Sequence, residues 1–238
     1  MRYSEKSGIE EIRKRFDADV ERFSNLETGR QTIIDAPIML ELTTGAAFFT
    51  NPGAKNLLDI GCGAGNYSLK MLEKIPGLNC LLMDLSMAML KRAEERVSAA
   101  TKGKVEIMQE DILRASLQEN QFDIVLAASV LHHLREDADW KDVFRKIYRS
   151  LKSGGSFWIT DLVMQDTESL NRLFTDRYAQ YLDALGGEAY RKKVFAYIER
   201  EDTPRSVNFQ LGLMTEAGFR YTEILHKNGP FAAFGGIK

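Results

Sequence analysis

Apolar residues recur along the chain in two rhythms, and the places where one gives way to the other divide it. Residues 4–24 are strongly charged but carry Ile9, Ile12, Phe16, Val20 and Phe23 at spacings of three and four. That period places them on one face of an amphipathic helix. A second helix is expected from about Gly29 to Ala47, bent near Pro37. From Asn56 the texture changes to short apolar runs alternating with amphipathic stretches. The strand-like runs are Asn56–Ile60, Asn79–Asp84, Lys104–Gln109, Phe122–Ala127 and Ser156–Asp161, with helices expected over Tyr67–Lys74, Met87–Ala100 and Trp140–Leu151. Buried strands alternating with amphipathic helices predict an α/β fold, a parallel sheet covered on both faces.

After Asp161 the alternation stops. Residues 166–202 read as two helices, Glu168–Leu185 and Tyr190–Glu201, parted by Gly186-Gly187. The alternation resumes with helix Ser206–Ala217, strand Phe219–His226, a turn at Asn228-Gly229 and strand Phe231–Ile237. Asn-Gly between two strand-like runs is a hairpin signal, so the last strand should run antiparallel to its neighbour. The expected organisation is an N-terminal helical cap (1–50), then a sheet domain (51–238) with a helical lid inserted at 166–202.

Composition narrows the function classes. At 238 residues the chain amounts to between one and two domain equivalents of about 150 residues each. The formal net charge of −2 gives no general attraction to nucleic acid or to an anionic membrane. Two cysteines, Cys62 and Cys80, make no disulfide framework, and the first residues lack the apolar core of a signal peptide. No apolar run approaches the ~20 residues of a membrane span, so a cytoplasmic protein is expected. Two separated cysteines and three histidines, two of them adjacent, fit no usual metal-ligand spacing, and no metal is expected.

The candidate chemistry begins in Asp59-Ile60-Gly61-Cys62-Gly63-Ala64-Gly65-Asn66, a glycine turn between a strand and a helix. Such a turn lets backbone approach a ligand closely, next to the unpaired N–H groups of a helix start. A dinucleotide site favours G-x-G-x-x-G; here the third glycine comes one residue early, which disfavours a nicotinamide-dependent dehydrogenase. Asp84 ends the next strand, where a carboxylate can accept both hydroxyls of a ribose, and Asp111 follows the third. The carboxyl ends of adjacent parallel strands line one crevice, so loop, Asp84 and Asp111 are expected to converge on one nucleoside.

Residues 56–161, with the terminal helix and hairpin, resemble the class I S-adenosylmethionine-dependent methyltransferases. The motifs are Leu57 to Gly65, Met83-Asp84-Leu85-Ser86 with Met89, Glu110-Asp111-Ile112, Phe122 to Ala127, Leu151 to Gly155 and Leu213 to Phe219, in the family's order. The resemblance implies a three-layer, Rossmann-like, seven-stranded, mostly parallel sheet with an antiparallel last strand. It implies S-adenosyl-L-methionine as cofactor, with Asp59, Gly61, Cys62, Gly63 and Gly65 around its methionine part. Asp84 would take the ribose hydroxyls, Leu85 the adenine face, Asp111 and the Ile112 backbone the adenine amino edge, and Ala128 the methionine side. Met87 and Glu110 depart from the frequent proline and glycine at their positions. A more distant similarity, to carboxymethyl-transferring wobble-uridine enzymes of tRNA, rests on the N-terminal helices, the insertion and the tail.

His132 and His133 follow the fourth strand, where a neutral histidine can take a proton from an acceptor. The alternative, rings that fix the loop by hydrogen bonds, is favoured. Asp161 either faces substrate or caps the next segment. The Asn25–Arg30 stretch is a candidate closure over the cofactor, with Arg30 set against a carboxylate or in a surface ion pair. Phe174, Tyr178 and Tyr181 share a helical face for packing, in an insertion that also suits a lid. Arg191-Lys192-Lys193 with Glu199, Glu201 and Asp202 reads as a solvated charged face. The acceptor is expected to be a small molecule. A tRNA-modifying transferase and a cofactor-binding module without turnover are the alternatives, and the sequence does not give the oligomeric state.

Overall fold

The computed structural model describes residues 6–25 and 31–238. Seven strands form one sheet: β1 (Asn56–Ile60), β2 (Asn79–Asp84), β3 (Val105–Gln109), β4 (Phe122–Ala128), β5 (Leu151–Leu162), β6 (Tyr221–Asn228) and β7 (Phe231–Ile237). Their order is β3-β2-β1-β4-β5-β7-β6. The β1–β5 pairs are parallel, and β7 runs antiparallel to both β5 and β6. The expected antiparallel last strand is therefore present. Asn228 pairs with Phe231, so the two-residue turn is Gly229-Pro230, one residue later than the Asn-Gly signal suggests, with Gly229 at φ 59°.

The chain leaves β1 towards β2 and β3 on one side and returns to β4 and β5 on the other. This reversal opens a crevice at the carboxyl ends of β1 and β4. Alternation along the strands feeds two cores. Leu57, Leu82, Ile124, Leu126 and Trp158 pack with α3 (Ala36–Thr50), α4 (Asn66–Lys74) and α5 (Met87–Ala100). Leu58, Ile60, Val125, Phe157 and Ile159 pack on the opposite face with α6 (Asp137–Ser150) and α8 (Val207–Ala217). Trp140, Phe144 and Ile147 of α6 are fully buried there. The hydrophobic effect thus fixes three layers before any site chemistry is considered.

Local signals set the helix ends. The Ser86 hydroxyl accepts from the Met89 N–H and starts α5, and a Glu136/Asp139 capping box starts α6. Pro37 does not bend its helix as expected; it sits in the first turn of α3, where its missing N–H costs nothing. The amphipathic N-terminal run breaks at Asp19 into α1 (Ile9–Ala18) and α2 (Val20–Ser24). The insertion is α7 (Glu168–Glu201), kinked at Gly187, whose φ of 79° and ψ of 178° only glycine adopts readily. Tyr178 and Leu182 of α7 pack on Phe231 and Met39, joining insertion, sheet and α3. No helix among the described residues is long and apolar enough to cross a membrane.

Candidate functional site

Two adjoining cavities open at the carboxyl ends of the strands. The first, about 150 Å³, is lined by Asp59, Gly61, Cys62, Gly63, Asp84, Leu85 and Ala128, with Phe16 and Phe23 reaching in from α1 and α2. Gly61, at φ 64°, lies so close to Val130 that a Cβ there would stand 2.6 Å from the valine Cβ. A Cβ on Gly63 would meet nothing within 4 Å, and its bare backbone lines the cavity. Asp84 braces the loop by accepting from the N–H groups of Gly63 and Ser86, each at 2.9 Å. Each of its oxygens keeps a lone pair for a hydroxyl donor. Burial pushes the Asp84 carboxyl above its ordinary value, against the lowering pull of these N–H groups. Asp59 is buried and accepts from the Ser68 hydroxyl at 2.6 Å. Burial, with the charges of Asp84 and Asp59, raises the Cys62 thiol and keeps it protonated.

The second cavity, about 630 Å³, falls within the range of about 300–1,000 Å³ usual for ligand pockets. Tyr178, Tyr190 and Tyr197 of α7 and Phe231 of β7 make its aromatic walls, and Arg15 and Lys193 bring positive charge. Phe16, Phe23, Ile33, Ser129 and His133 line both cavities and form the partition between them. Ser129 holds φ at 55°, uncommon for a residue with a Cβ, and its N–H donates to Thr160 at 2.7 Å. Two links tie the cap to the cofactor loop. The Ser86 hydroxyl donates to Asp17 at 2.6 Å, and the Asn66 amide donates to the Phe23 carbonyl at 2.9 Å. On the other side Arg15 donates to Glu201 at 2.9 Å and stacks on Tyr197, while Tyr178 donates to the Thr32 carbonyl at 2.9 Å.

A cluster of titratable groups sits where cap, β5 and the end of α7 meet. The His132 backbone N–H donates to Asp161 at 3.1 Å, and its Nδ1 is hydrogen-bonded to the same carboxylate. His132 Nε2 stands 3.7 Å, and His133 Nδ1 3.2 Å, from Oδ1 of Asp202. Burial works against the charged form of His132, but Asp161 and Asp202 together outweigh it and raise the ring to about 9. Burial and the neighbouring His132 charge lower His133, which stays neutral near pH 7. For Asp202, burial is outweighed by the two rings and Arg15, and the carboxyl titrates below its ordinary value.

Of the expected cofactor residues, Asp59, Gly61, Cys62, Gly63, Asp84, Leu85 and Ala128 come together on the first cavity. Gly65 stands behind it as the N-cap of α4. Asp111 and Ile112 border neither cavity. Asp111 folds onto its own loop, accepting from the Leu113 N–H at 2.9 Å, while Lys146 grips the Ile112 carbonyl at 2.7 Å. Leu26 to Arg30, most of the expected closing stretch, lies outside the described residues. Asp161 neither caps the next segment nor stands at an open rim; it is buried against His132. The solvated-face reading of Glu201 and Asp202 fails, because both are buried under Arg15 and the histidines. Metal-ligand spacing along the chain gave no set, yet folding brings His132, His133 and Asp202 within reach of one ion. The partition residues Phe16, Phe23, Ile33 and Ser129 also escaped a motif reading, although the first two were visible as an apolar stripe.

Residues 57–155 match the methyltransferase domain family. The chain is 29% identical over 188 residues to demethylmenaquinone methyltransferase of Listeria monocytogenes, covering 77% of this chain and 78% of that one. It is 25% identical over 183 residues to carboxy-S-adenosyl-L-methionine synthase of Nautilia profundicola, covering 76% of each. Human N-acetylserotonin methyltransferase, solved with its cofactor, superimposes with a TM-score of 0.63 at 16% identity. That match covers 95% of this chain but 56% of the human protein, so it speaks to the fold.

Proposed function

We propose that the chain is a class I S-adenosylmethionine-dependent methyltransferase, with S-adenosyl-L-methionine as its cofactor, that methylates a small molecule held in the second cavity. The observation that carries this reading is the shared partition: one wall serves a cavity for the donor and a larger, aromatic one for an acceptor. When bound, the cofactor supplies an activated methyl on a sulfonium, so the protein's task is to align donor and acceptor at near-attack distance. Asp59, the Gly61–Gly63 backbone, Asp84, Leu85 and Ala128 hold the donor. Phe16 and Phe23 exclude water from above, and Ser129 and His133 face the line of transfer. Asp111 and the Ile112 backbone, which line neither cavity, would meet the adenine edge.

The two histidines differ in what they offer. His132 is tied to Asp161 and favours its charged form, so it positions its neighbours. Neutral His133 borders both cavities and is the member of the pair that meets the acceptor's reacting atom. Residues 1–50 act as a cap and 166–202 as a lid of the 51–238 methyltransferase domain, in a cytoplasmic enzyme. The test is incubation with methyl-deuterated cofactor and a metabolite extract, followed by a mass search. A labelled small molecule that disappears with Asp84→Ala is expected. Label on tRNA, or on no product at all, would overturn the reading.

A further inference from the structure

His132, His133 and Asp202 each offer one donor atom, and these atoms lie within 4.8 Å of one another. The two separations to Asp202 Oδ1, 3.2 Å from His133 Nδ1 and 3.7 Å from His132 Nε2, bracket the ~3.3–3.5 Å between ligands held tetrahedrally at about 2.0–2.2 Å from one ion. Asp202 is 5% exposed, yet its Oδ1 has no hydrogen-bond partner, and neither does either ring nitrogen of the half-buried His133. Buried polar atoms are ordinarily paired, so Asp202 Oδ1 and His133 Nδ1, facing each other at 3.2 Å without a hydrogen bond, indicate a missing partner between them. Asp161 engages Nδ1 of His132 and leaves Nε2 directed at Asp202. This is the carboxylate–histidine arrangement that orients metal ligands.

We propose that His132, His133 and Asp202 bind a divalent transition-metal ion, with Asp161 as the residue that positions His132. Two imidazoles and one carboxylate suit Zn²⁺, Co²⁺, Fe²⁺ or Mn²⁺, whereas Mg²⁺ and Ca²⁺ favour all-oxygen sets. Binding displaces the proton from His132 Nε2, so that the buried carboxylates of Asp161 and Asp202 balance the charge of one divalent ion, and the nearby Arg15 is already answered by Glu201. Three protein ligands leave coordination positions open, and all three residues line the second cavity, with His133 also on the first. An ion there holds the acceptor's reacting oxygen or nitrogen as a Lewis acid beside the transfer line. That role rests on the methyl-transfer reading; the binding site itself does not.

The experiment strips the full-length protein with a chelator and titrates it with Co²⁺ by visible absorption and with Zn²⁺ and Mn²⁺ by calorimetry. One equivalent of at least one ion should bind, with Co²⁺ giving the intense ligand-field bands of a low-coordinate nitrogen–oxygen site. Asp202→Asn and His133→Gln should each weaken binding by at least about tenfold, and Asp161→Asn by about 10–100-fold. His226→Gln, remote from the cluster, should leave it unchanged. Thermal unfolding of the same samples shows that each variant is folded, and S-adenosylhomocysteine binding is measured beside it. Absence of binding for all three ions, or affinity unmoved by Asp202→Asn and His133→Gln in folded protein, would overturn the proposal. Metal binding without S-adenosylhomocysteine binding would uphold the site and overturn the methyl-transfer reading alone.

Discussion

The two cavities are made of different kinds of structure. The first is framed by strand ends and the turns that leave them, where backbone conformation decides the shape: Gly61 at φ 64°, and Asp84 bound to the Gly63 and Ser86 N–H groups. The second is walled mostly by helices that meet only after folding, held by side-chain pairs such as Arg15 with Glu201 and Tyr178 with Thr32. Under the proposed function, one scaffold keeps the donor chemistry fixed while the acceptor wall is free to vary, which is how a fold supports many substrates. Damage to the first cavity should therefore cost cofactor binding, and damage to the second should leave cofactor binding intact.

The sharpest break is Gly61→Ala. It adds a Cβ at positive φ and 2.6 Å from the Val130 Cβ. Thermal or denaturant unfolding should show a loss of about 3 kcal/mol or more, with cofactor binding lost as well. A wild-type-like unfolding curve would remove the claim that backbone geometry shapes this cavity. Asp84→Ala comes next. Loss of a charged acceptor for two hydroxyls should weaken S-adenosylhomocysteine by about 100-fold, ~2.7 kcal/mol, in calorimetry. Acid should act on the same group. Because the Asp84 pKa is raised and its carboxylate form accepts the hydroxyls, affinity should fall with decreasing pH, starting above the ordinary value of 3.8. A decline confined below that value would contradict the assigned role.

Legibility in the sequence divides along the same line. The α/β alternation, the antiparallel last strand and the break at Gly186-Gly187 could be read because each follows from local rules, and the family resemblance named most of the residues that line the first cavity. Met87–Ala100 is found at the expected limits because Ser86 caps it. The Glu201–Asp202 pair could not be read. It has the composition of a solvated helix end, and only the approach of α1 and the histidine turn buries it. Asp111 carries its motif, and one of its carboxylate oxygens accepts from Leu113 in its own turn. The bend expected at Pro37 failed because the helix starts there instead.

Two smaller effects sharpen the contrast. Ser86→Ala removes both the cap of α5 and the hydroxyl that reaches Asp17. It should cost about 1 kcal/mol in chemical denaturation, and no loss would mean that the cap is not anchored there. Tyr178→Phe deletes the donor to the Thr32 carbonyl in the second wall. It should cost about 1 kcal/mol of stability while leaving S-adenosylhomocysteine affinity within about twofold. A large loss of cofactor affinity would show that the two cavities are not separable.

The central claim is that donor and acceptor meet across the partition made by Ser129 and His133. A crystal structure with S-adenosylhomocysteine bound tests it most directly. The expected result places the ribose hydroxyls on Asp84 and the sulfur against that partition, facing the second cavity. A ligand seated in the second cavity, or a sulfur turned away from Ser129 and His133, would contradict it.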